Sequence, residues 1–221
     1  MAQASASLKA VIFDLDGLAV DSEPVHVEAW RRAVEGLGRR FDPSWIGPYF
    51  GQPVSATAAG LARKLGVDAD ELRTRRDHAF AELSSGGIPP REGLLESVRR
   101  LREAGLRTGL VTSGTRDYAR AVLDALRGEH GIEFDVVVTR DDVRNPKPDP
   151  EPYLRAAELL GEDPASCAVL EDAPTGVESA KAAGMAAVAV PNEHTGGLDF
   201  SKADSIQPDL IGAVEWLLAR G

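Results

Sequence analysis

Leu8-Lys9-Ala10-Val11-Ile12-Phe13-Asp14-Leu15-Asp16-Gly17 sets two carboxylates at the end of a short apolar run. The run has the length and composition of a strand buried on both faces, and such strands belong to parallel sheets. Aspartate is a poor strand former and costly to desolvate, so a pair at a strand's C-terminal end points to a metal or a reacting electrophile nearby. Ligands of open α/β sheets bind along that same edge. An ionised Asp14 has the chemistry to attack phosphorus and form an acyl phosphate. Asp16, two residues on, has the chemistry to protonate the leaving oxygen and then to activate water. Gly17 lets the chain turn away with no side chain against a phosphate. The same residues also read as a plain turn, which Asp and Gly favour.

Downstream, residues 22 to about 83 are patterned as helix throughout. Val27, Trp30, Val34 and Leu37 share a face, followed by Leu61 with Leu65, then Leu72, Phe80 and Leu83. Breaks fall at Gly36-Leu37-Gly38, Gly51-Gln52-Pro53 and Gly66. The pattern predicts a small helical bundle, residues 21–90, inserted after the first strand. Its exit, residues 84–90, is rich in turn formers and reads as an interdomain hinge. Residues 1–20 and 91–221 then form the core. There, a helix carrying Leu94, Leu95, Val98 and Leu101 ends at Gly105, and residues 108–112 read as a strand. Further strands are expected at 136–139, 167–170 and 186–190, with helices near 118–126, 151–160 and 175–183. A last helix holds Leu210, Val214, Leu217 and Leu218. Alternation of this kind predicts an α/β fold with a doubly wound, mostly parallel sheet and an inserted α-helical domain.

Three more candidate sites end those strands. Thr112-Ser113-Gly114-Thr115 offers hydroxyls and free backbone N–H groups for a phosphate oxygen, and equally a helix N-cap by Ser113 or Thr115. Asn145-Pro146-Lys147-Pro148-Asp149-Pro150 stiffens the backbone around one lysine, though most lysines are solvated surface residues. Glu171-Asp172 again puts acid at a strand's carboxyl edge, and also suits the start of a helix near Pro174. If that strand lies beside the first, Asp14, Asp16, Glu171 and Asp172 crowd together with Lys147 as the nearby counter-charge. A hard divalent cation would relieve the repulsion, and Mg²⁺ characteristically takes one or two carboxylates plus water and substrate phosphate.

The 221 residues are enough to bury a substantial core, with 43% hydrophobic and 27% charged residues, as in ordinary soluble domains. A formal charge of −10 argues against nonspecific nucleic-acid binding and against adhesion to an anionic membrane. Cys167 is the single cysteine, so no intrachain disulfide forms, and its apolar surroundings in sequence suggest a small buried hydrophobe. No cationic start with a long apolar stretch opens the chain, and no segment has the ~20 apolar residues of a membrane span. A cytoplasmic location and a monomer or weak dimer are expected.

Together, Asp14-Leu15-Asp16-Gly17 with Asp21-Ser22-Glu23, Thr112-Ser113-Gly114, Lys147-Pro148-Asp149-Pro150 and Glu171-Asp172-Ala173-Pro174-Thr175-Gly176 make the chain resemble the haloacid dehalogenase superfamily. The likeness is to its helical-cap members, the group of β-phosphoglucomutase and small sugar-phosphate phosphatases. The resemblance implies a Rossmann-like core, with Asp14 as nucleophile and Asp16 as general acid/base. It implies Thr112 and Lys147 holding the phosphoryl group, with Gly17, Ser113 and Gly114 lining the substrate site. Mg²⁺ would sit on Asp14, the Asp16 backbone carbonyl and Asp172, with Glu171 beside it. That arrangement requires the side chains of Asp14 and Asp172 to be near enough to share one ion.

Departures from the family pattern lie mainly in the cap. Leu18 and Ala19 follow the motif glycine where members commonly have Thr or Val and then Leu. His26 sits where the mutase has a histidine associated with its acid/base residue, or else packs near Trp30 one turn along. Phe50-Gly51-Gln52-Pro53-Val54 lacks the cation with which the mutase grips a second phosphate, and this favours hydrolysis. Arg63 and Arg76 read as solvated helix faces. The resulting expectation is a Mg²⁺-dependent phosphatase for a small phosphorylated metabolite, a sugar phosphate or nucleoside monophosphate. A phosphosugar isomerase and a noncatalytic phosphate-binding or phosphoacceptor module are the rivals.

Overall fold

The computed structural model describes residues 7–50 and 52–220; Gly51, Gly221 and the N-terminal stretch before residue 7 lie outside them. Six strands, β1 (Ala10–Asp14), β2 (Arg107–Val111), β3 (Val136–Val138), β4 (Cys167–Glu171), β5 (Ala186–Ala189) and β6 (Ser205–Ile206), form one sheet. Their order is β3-β2-β1-β4-β5-β6, and every neighbouring pair is parallel. The sheet is therefore wholly parallel, and the strand order reverses between β1 and β4, which makes the mouth of β1 the topological switch point.

Successive side chains of β1 point to opposite faces and build two separate cores. Val11 and Phe13 join Leu110, Leu170 and Val188 under α4 (Leu94–Glu103), α5 (Arg116–His130) and α8 (Leu210–Leu218). Ala10 and Ile12 join Val111, Val169 and Ala187 under α6 (Glu151–Leu160) and α7 (Pro174–Ala182). Buried on both faces, β1 can show a polar side chain only where it ends, at Asp14.

Between β1 and β2 the chain forms α1 (Glu23–Glu35), α2 (Val54–Leu65) and α3 (Ala69–Ser84). Trp30, Val34, Ile46, Leu61 and Leu72 give them an apolar cluster of their own. The two crossings into and out of this segment lie side by side: Asp21 N–H donates to the Pro89 carbonyl at 3.0 Å and Arg91 N–H to that of Ala19 at 2.9 Å.

The breaks expected at 36–38 and 51–53 bracket a stretch whose pattern predicts helix, yet between α1 and α2 the described residues hold only the 3₁₀ turns Pro43–Trp45 and Gly47–Tyr49. Pro43, Pro48 and Pro53 withhold backbone donors there, and Gly36 and Gly38 end α1. β6 escaped the sequence reading because two residues carry no period. Cys167 is buried as expected, and burial, aided by Glu162 and Asp163, pushes its thiol up to about 11.

Candidate active site

Four segments meet at the carboxyl edge of β1. Asp14 ends β1, Glu171 ends the adjacent β4, and Asp172 follows directly. Asp14, Glu171 and Asp172 are all buried, and each offers an oxygen within 4.8 Å of the others'. Asp14 and Asp172 thus stand within reach of one ion. Lys147 spans the group, its Nζ 2.5 Å from Asp14 Oδ1 and 2.7 Å from Glu171 Oε1, with its side chain only 8% exposed. Proline-bound Lys147 is therefore not a solvated surface lysine. Ser179 on α7 clamps that loop by donating from its hydroxyl to the Asp149 carbonyl at 2.5 Å.

Burial pushes Asp14 up to about 8, with Lys147 opposing and Glu171 and Asp16 adding to the rise. Asp172 is raised well above the carboxylate range by burial and by Asp14, Glu171 and Glu23. Burial alone would lower Lys147, yet Asp14 and Glu171 hold it well above its usual value. One ammonium among three buried carboxylates leaves an excess of negative charge on oxygen donors. Such a donor set fits a hard divalent cation.

Asp16 points elsewhere. Its Oδ1 accepts from the Tyr118 hydroxyl at 2.5 Å and its Oδ2 from Thr112 Oγ1 at 3.1 Å. His26 Nε2 stands 3.7 Å from Oδ1. Burial would raise this carboxyl, but the His26 and Tyr118 contacts hold it below its usual value. The Asp16 side chain is accordingly outside the three-carboxylate cluster.

Thr112 also accepts from Gly114 N–H at 2.9 Å, while Thr115 caps α5 and Ser113 is exposed at the mouth. Of the two cap candidates it is therefore Thr115, and it leaves Thr112 free to serve Asp16. Gly17 has φ +80°, and a Cβ there would run into the Asp172 carboxylate and Asn192. A Cβ on Gly176, in the first turn of α7, would overlap the Glu171 carboxylate, so the fourth motif needs its glycine for close approach.

On the helical side His26 stacks on Phe80, ring centroids 4.4 Å apart, and Phe80 in turn packs on Tyr118 at 5.1 Å. His26 Nδ1 accepts from the Arg76 guanidinium, which leaves Nε2–H toward Asp16. Arg76 was expected on a solvated face; it is 5% exposed, its guanidinium lying over the Phe80 ring, 4.4 Å from the centroid. The face of α3 that carries Arg76 packs on α1, whose His26 and Trp30 cover it. Arg63 is exposed, as expected.

Sequence reasoning missed Tyr118, Tyr153 and Asn192. The Tyr153 hydroxyl donates to Glu171 at 2.7 Å from the first turn of α6. Asn192 Nδ2 donates to Asp172 Oδ2 at 2.8 Å from the loop after β5. For Asn192 a signal existed: it stands shortly past the apolar run that ends in Val190, a polar residue near a strand's carboxyl end, as Glu171 and Asp172 are. The tyrosines sit inside helices, where only the fold turns them toward the site.

The family model for haloacid dehalogenase-like hydrolases matches residues 8–184. The validoxylamine A 7'-phosphate phosphatase of Streptomyces hygroscopicus subsp. limoneus is 34% identical over 209 residues, covering 94% of this chain and 96% of the relative. The fructose-1-phosphate phosphatase YqaB of Escherichia coli is 33% identical over 189 residues, 81% of this chain and 95% of the relative. Among solved structures, a hydrolase from Pseudomonas syringae superposes with a TM-score of 0.75 at 27% identity, covering 96% of this chain and 98% of that one.

Proposed function

Because the chain belongs to the haloacid dehalogenase-like hydrolase family, as a phosphoric monoester hydrolase, we propose that it releases phosphate from a small phosphorylated metabolite through a phosphoaspartate on Asp14. The observation that carries this reading is the buried Asp14, Glu171 and Asp172 trio, with Lys147 bonding the first two and Asp16 beside it at the switch point. Asp14, Asp172, the Asp16 backbone carbonyl and Glu171 would hold Mg²⁺. When bound, the cation supplies charge to offset the carboxylates and the transferring phosphoryl group.

In the first half-reaction an Asp14 oxygen attacks phosphorus, the bond to the leaving oxygen breaks, and Asp16 gives that oxygen its proton. In the second, Asp16 takes a proton from the water that attacks the acyl phosphate, and Asp14 is regenerated with phosphate released. Thr112 Oγ1, the Ser113 and Gly114 backbone and Lys147 Nζ hold the phosphoryl oxygens, and Gly17 leaves space for them. Metal-free, the two aspartates are poised the wrong way round, Asp14 raised and Asp16 lowered. Asp14 would be lowered by a cation held beside it, and Asp16 raised by the negative charge of an incoming phosphate.

We assign residues 21–90 as the cap that selects the leaving group. Closure brings His26 and Arg76 over Asp16 and excludes water. Between a sugar phosphate and a nucleoside monophosphate, the activities of the relatives, on validoxylamine A 7'-phosphate and on fructose 1-phosphate, favour the sugar. The cation-free stretch 50–54 favours hydrolysis over isomerisation, which must grip two phosphates. A phosphate-release screen over phosphorylated sugars and nucleotides tests this. Turnover of at least one sugar phosphate is expected with Mg²⁺, falling ~10³-fold with EDTA. Silence across the panel, or turnover indifferent to EDTA, contradicts the reading.

A further inference from the structure

We propose that Asn192 is a positioning residue that sets the orientation of the Asp172 carboxylate for the cation. The inference rests on the metal-dependent reading above and deepens it. Asn192 sits in the loop after β5, the strand beside β4, and its side chain is committed at both ends. Nδ2 donates to Asp172 Oδ2 at 2.8 Å and to the Gly17 carbonyl at 3.3 Å. Oδ1 accepts from the backbone N–H groups of His194 and Thr195 at 2.9 and 3.0 Å. Its own N–H donates at 3.0 Å to Thr195 Oγ1, and Thr195 is 1% exposed. The residue therefore cannot turn without breaking its loop.

Asp172 needs such a brace more than its neighbours. Lys147 bonds Asp14 and Glu171, and Tyr153 bonds Glu171 as well. Among the described residues no ammonium bonds Asp172, and the carboxylates around it favour its turning away. A neutral amide donor fixes one oxygen without cancelling the charge that a cation requires, which a lysine in its place would do. The second bond matters too. Gly17's carbonyl also accepts from Arg91 Nη1 at 2.8 Å, so the turn after the nucleophile is held from the loop after β5 and from Arg91, where the chain leaves the helical segment. One amide thus ties the Asp14-to-Gly17 turn to Asp172, the two sides of the site a cation must span. Outer partners of metal ligands commonly contribute ~10–100-fold in metal affinity.

The test is direct Mn²⁺ binding to the full-length protein without substrate, followed by electron paramagnetic resonance, alongside kcat and the Mg²⁺ concentration for half-maximal phosphate release. Asn192→Ala is expected to weaken Mn²⁺ binding ~10-fold. The half-saturating Mg²⁺ should rise by more than kcat falls, a split that a merely structural role would not give. Unchanged Mn²⁺ affinity in Asn192→Ala overturns the proposal. If Asn192→Ala does not fold by circular dichroism, Thr195→Val decides: it keeps the amide but removes the hydroxyl that accepts from the Asn192 backbone N–H. A ~3-fold weakening is expected there, and wild-type affinity overturns the proposal. Failure of the wild-type protein itself to bind Mn²⁺ overturns the metal reading, a result distinguishable from loss of the Asn192 effect.

Discussion

Asp14→Asn is expected to abolish phosphate release, by on the order of 10⁴-fold or more, while the protein keeps its circular dichroism and its melting behaviour. The amide is nearly isosteric, so β1 and the cores on its two faces stay packed. What disappears is the oxygen proposed to attack phosphorus, while the neighbouring carboxylates are engaged elsewhere, Asp172 by Asn192. Glu171 is held by Lys147, Tyr153 and the Ala173 N–H, and Asp16 is turned toward Thr112 and Tyr118. Stability should hold or rise, because a neutral side chain replaces one that burial already pushes toward its protonated form. Turnover within ten-fold of wild type would reject Asp14 as nucleophile.

Lys147→Ala should damage both activity and stability. Its ammonium bonds two buried carboxylates, and removing one partner of a buried pair leaves uncompensated charge, at a cost of about 3–5 kcal/mol. Unlike Asp14→Asn, this variant should therefore melt well below wild type in urea, and kcat/KM should fall by roughly 10³-fold as a charge on the phosphoryl oxygens is lost. Part of the lost stability should return with saturating Mg²⁺, because binding to the native state alone shifts the equilibrium toward it. A Lys147→Ala protein as stable as wild type would show that the carboxylates tolerate one another without a counter-charge. Arginine should rescue poorly: its planar fork is wider than the pocket between Asp14, Glu171 and the Tyr153 ring that one ammonium fills.

The contrast between these variants also marks what the sequence could and could not disclose. Asp14, Lys147, Glu171 and Asp172 were legible because each stands where a polar residue is out of place, at the end of an apolar run or inside a proline-rich loop. The parallel sheet was legible for the same reason, since strands buried on both faces read as unbroken apolar segments. Tyr118 and Tyr153 were not, because an aromatic in an amphipathic helix looks like any core residue until the helix is docked. Arg76 misled for a related reason. Helical period alone cannot say that its face packs onto α1, nor that Phe80 and Trp30 stand ready to cover a guanidinium. The irregular stretch 36–53 follows from its prolines, which outweigh the apolar spacing around them.

The proposed reaction passes through a covalent bond between phosphorus and one aspartate. Turnover with a sugar phosphate can be quenched in acid, the protein reduced with borohydride, and its peptides mapped by mass spectrometry. Reduction of an acyl phosphate on Asp14 predicts homoserine at that position, dependent on substrate and lost in Asp14→Asn. Active enzyme that yields homoserine at another carboxylate, or none at all, would contradict it.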